Sequence, residues 1–442
     1  MEFNSIKIKD TNIELIDGDR GKNYPKNHEM MDSGHTLFLN NKNIAKNFLD
    51  DSFGNFITED KSDSLRKGKL CRNDIVLSTR GSVGNIGFYH SKIQMNHIRI
   101  NSGMIILRNN DKKFLDEYLY IFLRSPYMQN KFKEFISGSV QNHLPIRDLQ
   151  QIEIMYPPIY YQSYIIKIIM NIEEKIKINN EIIANLEELS QTLFKRWFVD
   201  FEFPNEDGNP YKSSGGEMID SELGEIPRGW EVNELGTYVD IIKGLSYKGA
   251  FLDKEHERSD SFPLLSISNF NFIAGFKGNK TKYYFGDYKE RHLVNSGDIL
   301  IAATDLTQDR KILGAPAIVP NLNKTMIFSL DVFKITETTI PKYVLYFLLQ
   351  SAKYREFVEG SATGTTVIRI AKNIILKVPI VIDKDISLNF DNLIKPYMEK
   401  IEHLSQENKK LTELRDTLLP KLMSGEIEIP DDIEVNEDEL SI

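Results

Sequence analysis

The two halves of the amino-acid sequence contain similar short segments, and this internal repeat strongly constrains the fold. Short segments recur in the same order and at a nearly constant offset. They are DIVL (74–77) and DILI (298–301), YIFLRS (120–125) and YFLLQS (346–351), FISGS (135–139) and FVEGS (357–361), IR (146–147) and IR (368–369), and the leucines and threonine at 186, 189, 192, 193 and at 411, 414, 417, 418. Such an ordered series predicts a tandem duplication of one structural unit.

Each repeat begins with a globular unit that the sequence predicts to be α/β (α+β). Short strand-like runs at 74–78 and 104–107 lie between loops rich in Gly, Asn and Asp, and residues 115–135 carry apolar side chains at helical spacing. The predicted globular domains are 1–158 and 230–382. Turn-forming residues at 203–229 predict a flexible linker between the repeats, and 426–442 is predicted to be an acidic tail.

Each repeat ends in a predicted long helix, at 159–202 and at 383–425. Apolar residues recur there at heptad spacing, and Asn179, Ser190 and Asn408 fall on the same seam. A helix of about 40 residues measures roughly 55–60 Å. Because neither helix can bury its apolar stripe alone, we expect an antiparallel coiled coil that joins the two globular units. The residues predicted to form this helix pair or to bind a partner are Ile172, Ile176, Leu186, Leu189, Leu193, Phe194, Trp197, Phe198, Ile401, Leu411, Leu414, Leu418 and Leu422.

Two expectations about these helices can be checked directly. A charge at Leu189 or Leu414 is expected to break the helix pair, because an unpaired charge in a buried apolar seam is costly. The aromatic cluster Phe194, Trp197, Phe198, Phe201 and Phe203 has two interpretations. These side chains either pack the helix end on its own domain or form a docking face for a partner protein.

The charge distribution hides two mildly basic units. The net charge is −9, but residues 426–442 hold eight acidic and no basic side chains. Residues 1–157 hold 22 Lys and Arg against 19 Asp and Glu, and residues 231–380 hold 19 against 16. Such mild basicity weakly favours nucleic-acid binding. The single cysteine, Cys71, excludes an intrachain disulfide, and no apolar run is long enough to cross a membrane, so we expect a cytoplasmic protein without a membrane segment.

Catalytic motifs are missing from the sequence. There is no phosphate-binding Gly-x-x-x-x-Gly-Lys-Ser/Thr loop and no His-x-x-x-His pair. YPPI at 156–159 resembles the Asn/Asp-Pro-Pro-aromatic motif of adenine methyltransferases, but Tyr156 and Ile159 supply neither the polar acceptor nor the stacking ring. We therefore expect no enzymatic activity, no cofactor and no metal.

Four segments in this order resemble the DNA-specificity subunit of type I restriction–modification systems. They are GEIPRGWEV (224–232), SGSVQ (137–141) followed by PPIYYQ (157–162), LFKRWFVDF (193–201) and LLPKLMSGEI (418–427). The resemblance implies two target-recognition domains and two spacer helices in an antiparallel coiled coil. It also implies double-stranded DNA as ligand, two methyltransferase subunits on the helices, and motor–nuclease subunits in the full complex. The first unit departs from the family because it lacks the Gly-Trp-Glu-Val opening.

Base-edge recognition needs polar side chains on a rigid support, and two polar runs in each unit fit this need. The predicted DNA-binding residues are Arg80, Ser82, Ser139, Gln141, Asn142 and Arg147 in the first unit, and Thr304, Thr307, Gln308, Arg310, Lys311, Thr363, Thr365 and Arg369 in the second. Arg147 and Arg369 agree between the repeats, so we expect them to contact phosphate or hold structure. Ordinary polar surface turns are the alternative interpretation.

Three functions remain open from the sequence alone. The first is a non-catalytic subunit that reads a bipartite DNA target through two half-site domains. The second is a coiled-coil scaffold that joins two proteins without DNA specificity. The third, a methyltransferase fragment, is disfavoured by the missing motifs.

Overall fold

The computed structural model describes residues 3–45, 48–135, 143–256, 258–278, 281–307, 309–322 and 324–427. It divides into two compact units, Met1–Ile178 with Glu407–Ile442, and Asn179–Gln406. Each long helix therefore contributes one half to each unit. In the described residues no helix is both long and apolar enough to cross a membrane.

The first unit alternates short strands and helices before it enters the first long helix. Its elements are β1 Asn4–Lys7, β2 Ile13–Asp17, β3 Thr36–Leu39, β4 Asn55–Ile57, α1 Glu59–Asp63, β5 Ile75–Ser78, β6 Ile86–Phe88, β7 Ile98–Ile100, β8 Met104–Asn109, α2 Asp116–Arg124, α3 Pro126–Phe135, α4 Ile146–Leu149, β9 Glu153–Tyr156 and α5 Ile159–Phe198.

Strand β5 lies at the centre of the first unit because both of its faces are buried. Ile75 and Leu77 face one core, which contains α2 and the start of α5, whereas Val76 faces a second core on the other side of the sheet. This is the two-residue alternation of a strand between two apolar layers. The sheet order is β2-β8-β5-β6, beside a smaller sheet β4-β3-β7 in which β3 and β7 are parallel.

The second unit follows the same plan with additional strands. Its elements are β10 Met218–Ser221, β11 Gly224–Pro227, β12 Glu231–Glu234, β13 Val239–Lys243, β14 Phe262–Leu265, β15 Lys282–Tyr284, β16 Leu293–Val294, β17 Ile299–Ala302, β18 Thr304–Asp305, β19 Pro316–Ile318, β20 Met326–Phe328, β21 Val332–Thr338, α6 Lys342–Leu348, α7 Ala352–Gly360, β22 Ile368–Arg369, α8 Lys372–Leu376, β23 Pro379–Ile382 and α9 Lys384–Ser424.

The strand orders of the two units correspond, although β16 extends the smaller sheet of the second unit. β13-β21-β17-β19 repeats β2-β8-β5-β6, and β15-β14-β20 repeats β4-β3-β7 with its parallel pair. The short sheet β12-β23 repeats β1-β9, in which the first and last strands of the unit pair antiparallel. The first unit therefore has the same opening strand although it lacks the Gly-Trp-Glu-Val residues. The predicted duplication of a mixed α/β unit is confirmed.

The two long helices pack against each other in antiparallel fashion, as predicted. In the first unit Tyr161 Oη donates to the carbonyl of Ile427 at 2.6 Å, and Glu173 lies 3.8 Å from Arg415. In the second unit Phe194 and Phe198 on α5 contact Phe390 on α9. From Tyr161 through Glu173 to Phe194 along α5, the contacted residue falls from 427 through 415 to 390, so the two helices run antiparallel.

The segment predicted to be a flexible linker is ordered. Residues 218–227 form the β10–β11 hairpin, and the Phe203 ring stacks at 4.7 Å on Tyr211 and at 5.2 Å on Trp230. The turn-forming residues of this segment were correctly identified. Its aromatic side chains bury apolar area in the core of the second unit. This burial stabilises the segment more than the flexibility of its glycines destabilises it.

Candidate nucleic-acid interface

Loops that are distant in sequence meet beyond the central strand of the second unit. Strand β18 follows β17 directly and pairs with β22, so that Thr304 lies opposite Arg369 and Asp305 opposite Ile368. Thr363 bridges to Arg369 in turn. The two polar runs predicted in this unit are therefore neighbours. Thr363, Thr365 and Arg369 are exposed, whereas Thr304 is buried in the strand pair, which removes it as a base-reading candidate.

A buried carboxylate, Asp305, organises the loop that follows β18. One oxygen accepts hydrogen bonds from the backbone N–H (2.7 Å) and the hydroxyl (2.8 Å) of Thr307, and the other accepts from the Ile312 N–H at 2.8 Å. Bonds to an ionised acceptor are stronger than neutral ones. Asp305 thus fixes a loop that displays Thr307 and Lys311 on the surface. The sequence pattern did not single it out, because a lone Asp in a polar turn looks like any other.

Arg310, a predicted DNA contact, has a bracing role in this structure. Its guanidinium donates to the carbonyl of Glu359, and its own carbonyl accepts from Arg355 at 2.9 Å. Arg355 also bonds Glu359 at 2.7 Å. These contacts tie the loop to α7. Lys311, by contrast, is exposed.

The first unit brings the corresponding loops together with different side chains. Arg80 forms a bridge with His143, and the Leu144 N–H donates to the carbonyl of Thr79 at 3.0 Å. Asn41, from the loop after β3, donates to the carbonyl of Arg80 at 3.0 Å. Arg80 is partly exposed and Ser82 is exposed. Ser139, Gln141, Asn142 and, in the second unit, Gln308 lie outside the described residues.

The backbone bridges of the two units correct one correspondence between the repeats that the sequence predicted. Arg80 pairs with His143 as Thr304 pairs with Arg369, so His143, not Arg147, occupies the position of Arg369. The Ile-Arg dipeptide shared by the two repeats led to the wrong correspondence, because in the first unit its arginine lies four residues beyond the bridged position. Arg147 stands on α4, where its side chain is 87% exposed beside Asp148.

A repeated asparagine, which sequence reasoning missed, braces a further loop in each unit. Asn43 is fully buried, and its amide donates to the carbonyls of Asp50 and Phe53 while its oxygen accepts from the Asn40 N–H. Asn269 makes the equivalent bonds to the Lys277 carbonyl, the Thr281 hydroxyl and the Ser266 N–H. The two asparagines are separated by the same offset as the other repeated segments, and this could have revealed them.

The helix seam includes most, but not all, of the predicted residues. Seam positions follow the heptad spacing 186, 190, 193, 197 and 411, 415, 418, 422. Ser190 is fully buried, and Arg415 is partly buried beside Glu173. Leu189 and Leu414 are next to these positions and are 44% and 46% exposed, so their assignment to the buried seam was wrong. The remaining seam and flank residues are partly or fully buried, namely Ile172, Ile176, Leu186, Leu193, Ile401, Leu411, Leu418 and Leu422.

The aromatic residues at the end of α5 pack into their own unit. Phe194, Trp197 and Phe198 are all buried and belong to the second unit's core. The Phe390 ring lies 5.3 to 5.8 Å from all three. These three side chains are therefore packed in a core and do not form an exposed docking face, but they pack against the second globular domain and not against the domain that precedes the helix.

Two units with the same strand order, each presenting a cluster of polar loops and joined by antiparallel helices, define a class of duplicated recognition proteins. The family model for the type I restriction modification DNA specificity domain matches residues 6–188. The chain is 27% identical to the MjaIX specificity subunit of Methanocaldococcus jannaschii, over 81% of this chain and 78% of that protein. It is 22% identical to the HindI specificity subunit of Haemophilus influenzae, over 93% and 98%.

The fold agrees with these similarities. The crystal structure of a type I restriction–modification S subunit from M. genitalium superposes with a TM-score of 0.59 and 14% identity, and covers 98% of this chain and 97% of that one. The resemblance seen in the sequence is confirmed. Residues 6–188 match the type I restriction modification DNA specificity domain, and the chain as a whole is similar to specificity subunits of type I restriction–modification systems.

Proposed function

We propose that this protein is the non-catalytic subunit that selects a bipartite DNA target for a type I restriction–modification complex. The observation that carries the proposal is the matched loop cluster beyond β5 and β17. The supporting strands correspond, whereas the displayed side chains differ: Arg80 and Ser82 in one unit, Thr307, Lys311 and Arg369 in the other. Shared scaffolds with different polar tips suit two readers of different sequences on one double-stranded DNA.

The decisive experiment compares methylated motifs in a host with and without this chain. The chain and its co-expressed methyltransferase should together methylate a bipartite motif that is absent without the chain. Thr307→Ala should relax positions in one half-site only, and Arg80→Ala positions in the other only, by about 1–3 kcal/mol for each lost base contact. A motif that stays unchanged in both variants would contradict the assignment of these loops, and a host without any new motif would favour the scaffold interpretation.

We further propose that two methyltransferase subunits dock on the exposed sides of the long helices, and that motor–nuclease subunits join the resulting complex. The exposed leucines Leu189 and Leu414 support this proposal because they lie at equivalent positions of the two repeats, outside the buried seam. Exposed apolar side chains at matched positions are suitable anchors for two copies of one partner.

Leu189→Asp and Leu414→Asp test this docking separately from folding. Each is expected to leave the unfolding of the isolated chain within about 0.5 kcal/mol of wild type, because both positions are exposed. Each should remove one methyltransferase copy, measured as the mass of the co-expressed complex, and the double variant should remove both. Lys409→Asp, a charge change on an exposed α9 residue, is the matched control. Full assembly of the double variant would place the docking surface elsewhere.

A further inference from the structure

A short finger in the second unit, residues 270–276, displays two large apolar side chains to solvent. Phe272 is 62% and Ile273 is 53% exposed. Ile273 also has a φ of 71°, in the left-handed region where a β-branched residue is a genuine outlier. Glycine or asparagine would fit this backbone with less strain. An isoleucine there indicates that its side chain is needed, and such strain tends to occur at binding sites.

The backbone of the finger is held from both sides. Phe270 and Phe276 bridge its base, and the Asn271 N–H donates to the Gly275 carbonyl at 2.9 Å. The Gly275 N–H donates to the carbonyl of Pro316 at the start of β19, also at 2.9 Å. The buried Asn269 amide holds the Lys277 carbonyl just beyond. A side chain on such a support is pre-organised and loses little further freedom when it binds.

The finger is bonded directly to the proposed DNA-reading loop. The Ile273 N–H donates to the Lys311 carbonyl at 2.9 Å, and the Lys311 ammonium lies 5.9 Å from the centre of the Phe272 ring. Lys311 is exposed, and its only ion pair among the described residues, with Asp309, is long at 3.8 Å. Apolar tips beside an exposed cation match the surface of duplex DNA, where thymine methyl groups lie within reach of phosphates.

We propose that Phe272 and Ile273 read DNA by apolar contact with the 5-methyl group of a thymine in the second unit's half-site, while Lys311 contacts an adjacent phosphate. This inference rests on the proposed function. In the major groove the methyl group is the apolar feature that marks a thymine. The finger adds an apolar element to a reading surface whose other candidates are polar.

The test uses the full-length chain with its methyltransferase and duplexes that carry the motif methylated by the wild type. Each thymine of the second half-site is replaced in turn by uracil, which removes only the 5-methyl group. The wild-type complex should lose about fourfold in affinity at one position, the value of one buried methyl-sized group. The Phe272→Ala and Ile273→Asn complexes should bind the thymine and uracil duplexes equally. Asparagine tolerates the left-handed backbone, so Ile273→Asn removes apolar surface while relieving strain.

Phe53→Ala is the control, because Phe53 is a 42% exposed aromatic in a loop of the first unit. It should keep the fourfold difference at the second half-site. The inference is overturned if Phe272→Ala and Ile273→Asn still distinguish thymine from uracil, or if these variants lose methyltransferase instead of base discrimination. A wild-type complex that methylates no bipartite motif would overturn the proposed function itself, an outcome that is separable from these.

Discussion

The two units share their strand order but differ in how each globular domain is joined to the long helices. In the second unit the joint is aromatic, with Phe390 surrounded by Phe194, Trp197, Phe198 and Phe347. In the first unit the equivalent residues are aliphatic: Ile165 and Ile169 pack with Leu419, Leu422 and Met423. The first unit adds a charged cluster, in which Glu173 contacts Arg124 at 3.0 Å and Arg415 at 3.8 Å.

The second unit has a neutral contact where the first has that cluster. Gln350 corresponds to Arg124, and its side-chain oxygen accepts from Gln191 at a long 3.4 Å. Burial acts to lower the pKa of Arg124, but Tyr120, whose ring lies 4.0 Å from the guanidinium, and Glu173 outweigh it and raise the pKa. The comparison shows that the strand framework was kept after duplication, while the joints and loop tips diverged. Apolar joints tolerate such exchange when total volume is preserved.

The largest losses of stability should appear when the centre of each joint is truncated. Phe390→Ala removes the ring that contacts four others and should destabilise the second unit by about 4 kcal/mol. Ile165→Ala, at the corresponding position of the first unit, should cost about 3 kcal/mol there. Hydrogen exchange of intact chains would show which unit opens. Equal loss of protection in both units after either substitution would contradict two separately cored joints.

A second difference concerns the loop beyond the central strand. In the second unit this loop spans 303–315 and depends on the buried Asp305, whereas in the first unit it spans only 79–85. The shorter loop is held by the Ser78 hydroxyl, which donates to the Ser82 carbonyl and accepts from the Asn85 N–H. Asp305→Ala should cost about 2–3 kcal/mol because it removes bonds to a charged acceptor, and Ser78→Ala about 1 kcal/mol. Urea unfolding measures both. Methylation should lose fidelity only in the half-site read by the altered unit.

The strands and long helices could be predicted from the sequence because burial requires recognisable apolar patterns in them. A fully apolar run such as residues 75–77 must lie between two buried faces, and a long heptad pattern needs a partner helix. The loop tips follow no such rule. The Arg147–Arg369 pairing failed because a two-residue identity cannot detect unequal loop lengths. The exposed Phe272–Ile273 finger was missed because only the backbone angle and accessibility distinguish it from other loops. Leu189 failed because the seam position falls on its neighbour, Ser190.

The charged cluster of the first unit supplies a smaller contrast. Arg124→Gln gives this joint the residue that the second unit has, and should cost about 1–2 kcal/mol, because the side chain is only 13% exposed and leaves Glu173 without that partner. Gln350→Ala, its matched control, should cost about 0.5 kcal/mol or less. Thermal unfolding at low and high salt measures the effect. An equal cost for the two substitutions would show that the ion pairs add nothing beyond packing.

The smallest expected effect concerns the two bridged residues, His143 and Arg369. Arg369 is an exposed cation next to the second unit's reading loop, and His143 is a partly exposed histidine at the same position of the first. If this position faces a phosphate, His143→Arg adds one arginine–phosphate contact and Arg369→His removes one. The slope of log affinity against log salt should then become steeper by about 0.9 in the first variant and shallower by about 0.9 in the second, with the methylated motif unchanged in both.

Arg147→Ala, which lies outside the matched position, should leave the slope unchanged. A changed motif instead of a changed slope would show that these residues read bases, and would make the bridge, not only the loop tips, part of the sequence-reading surface.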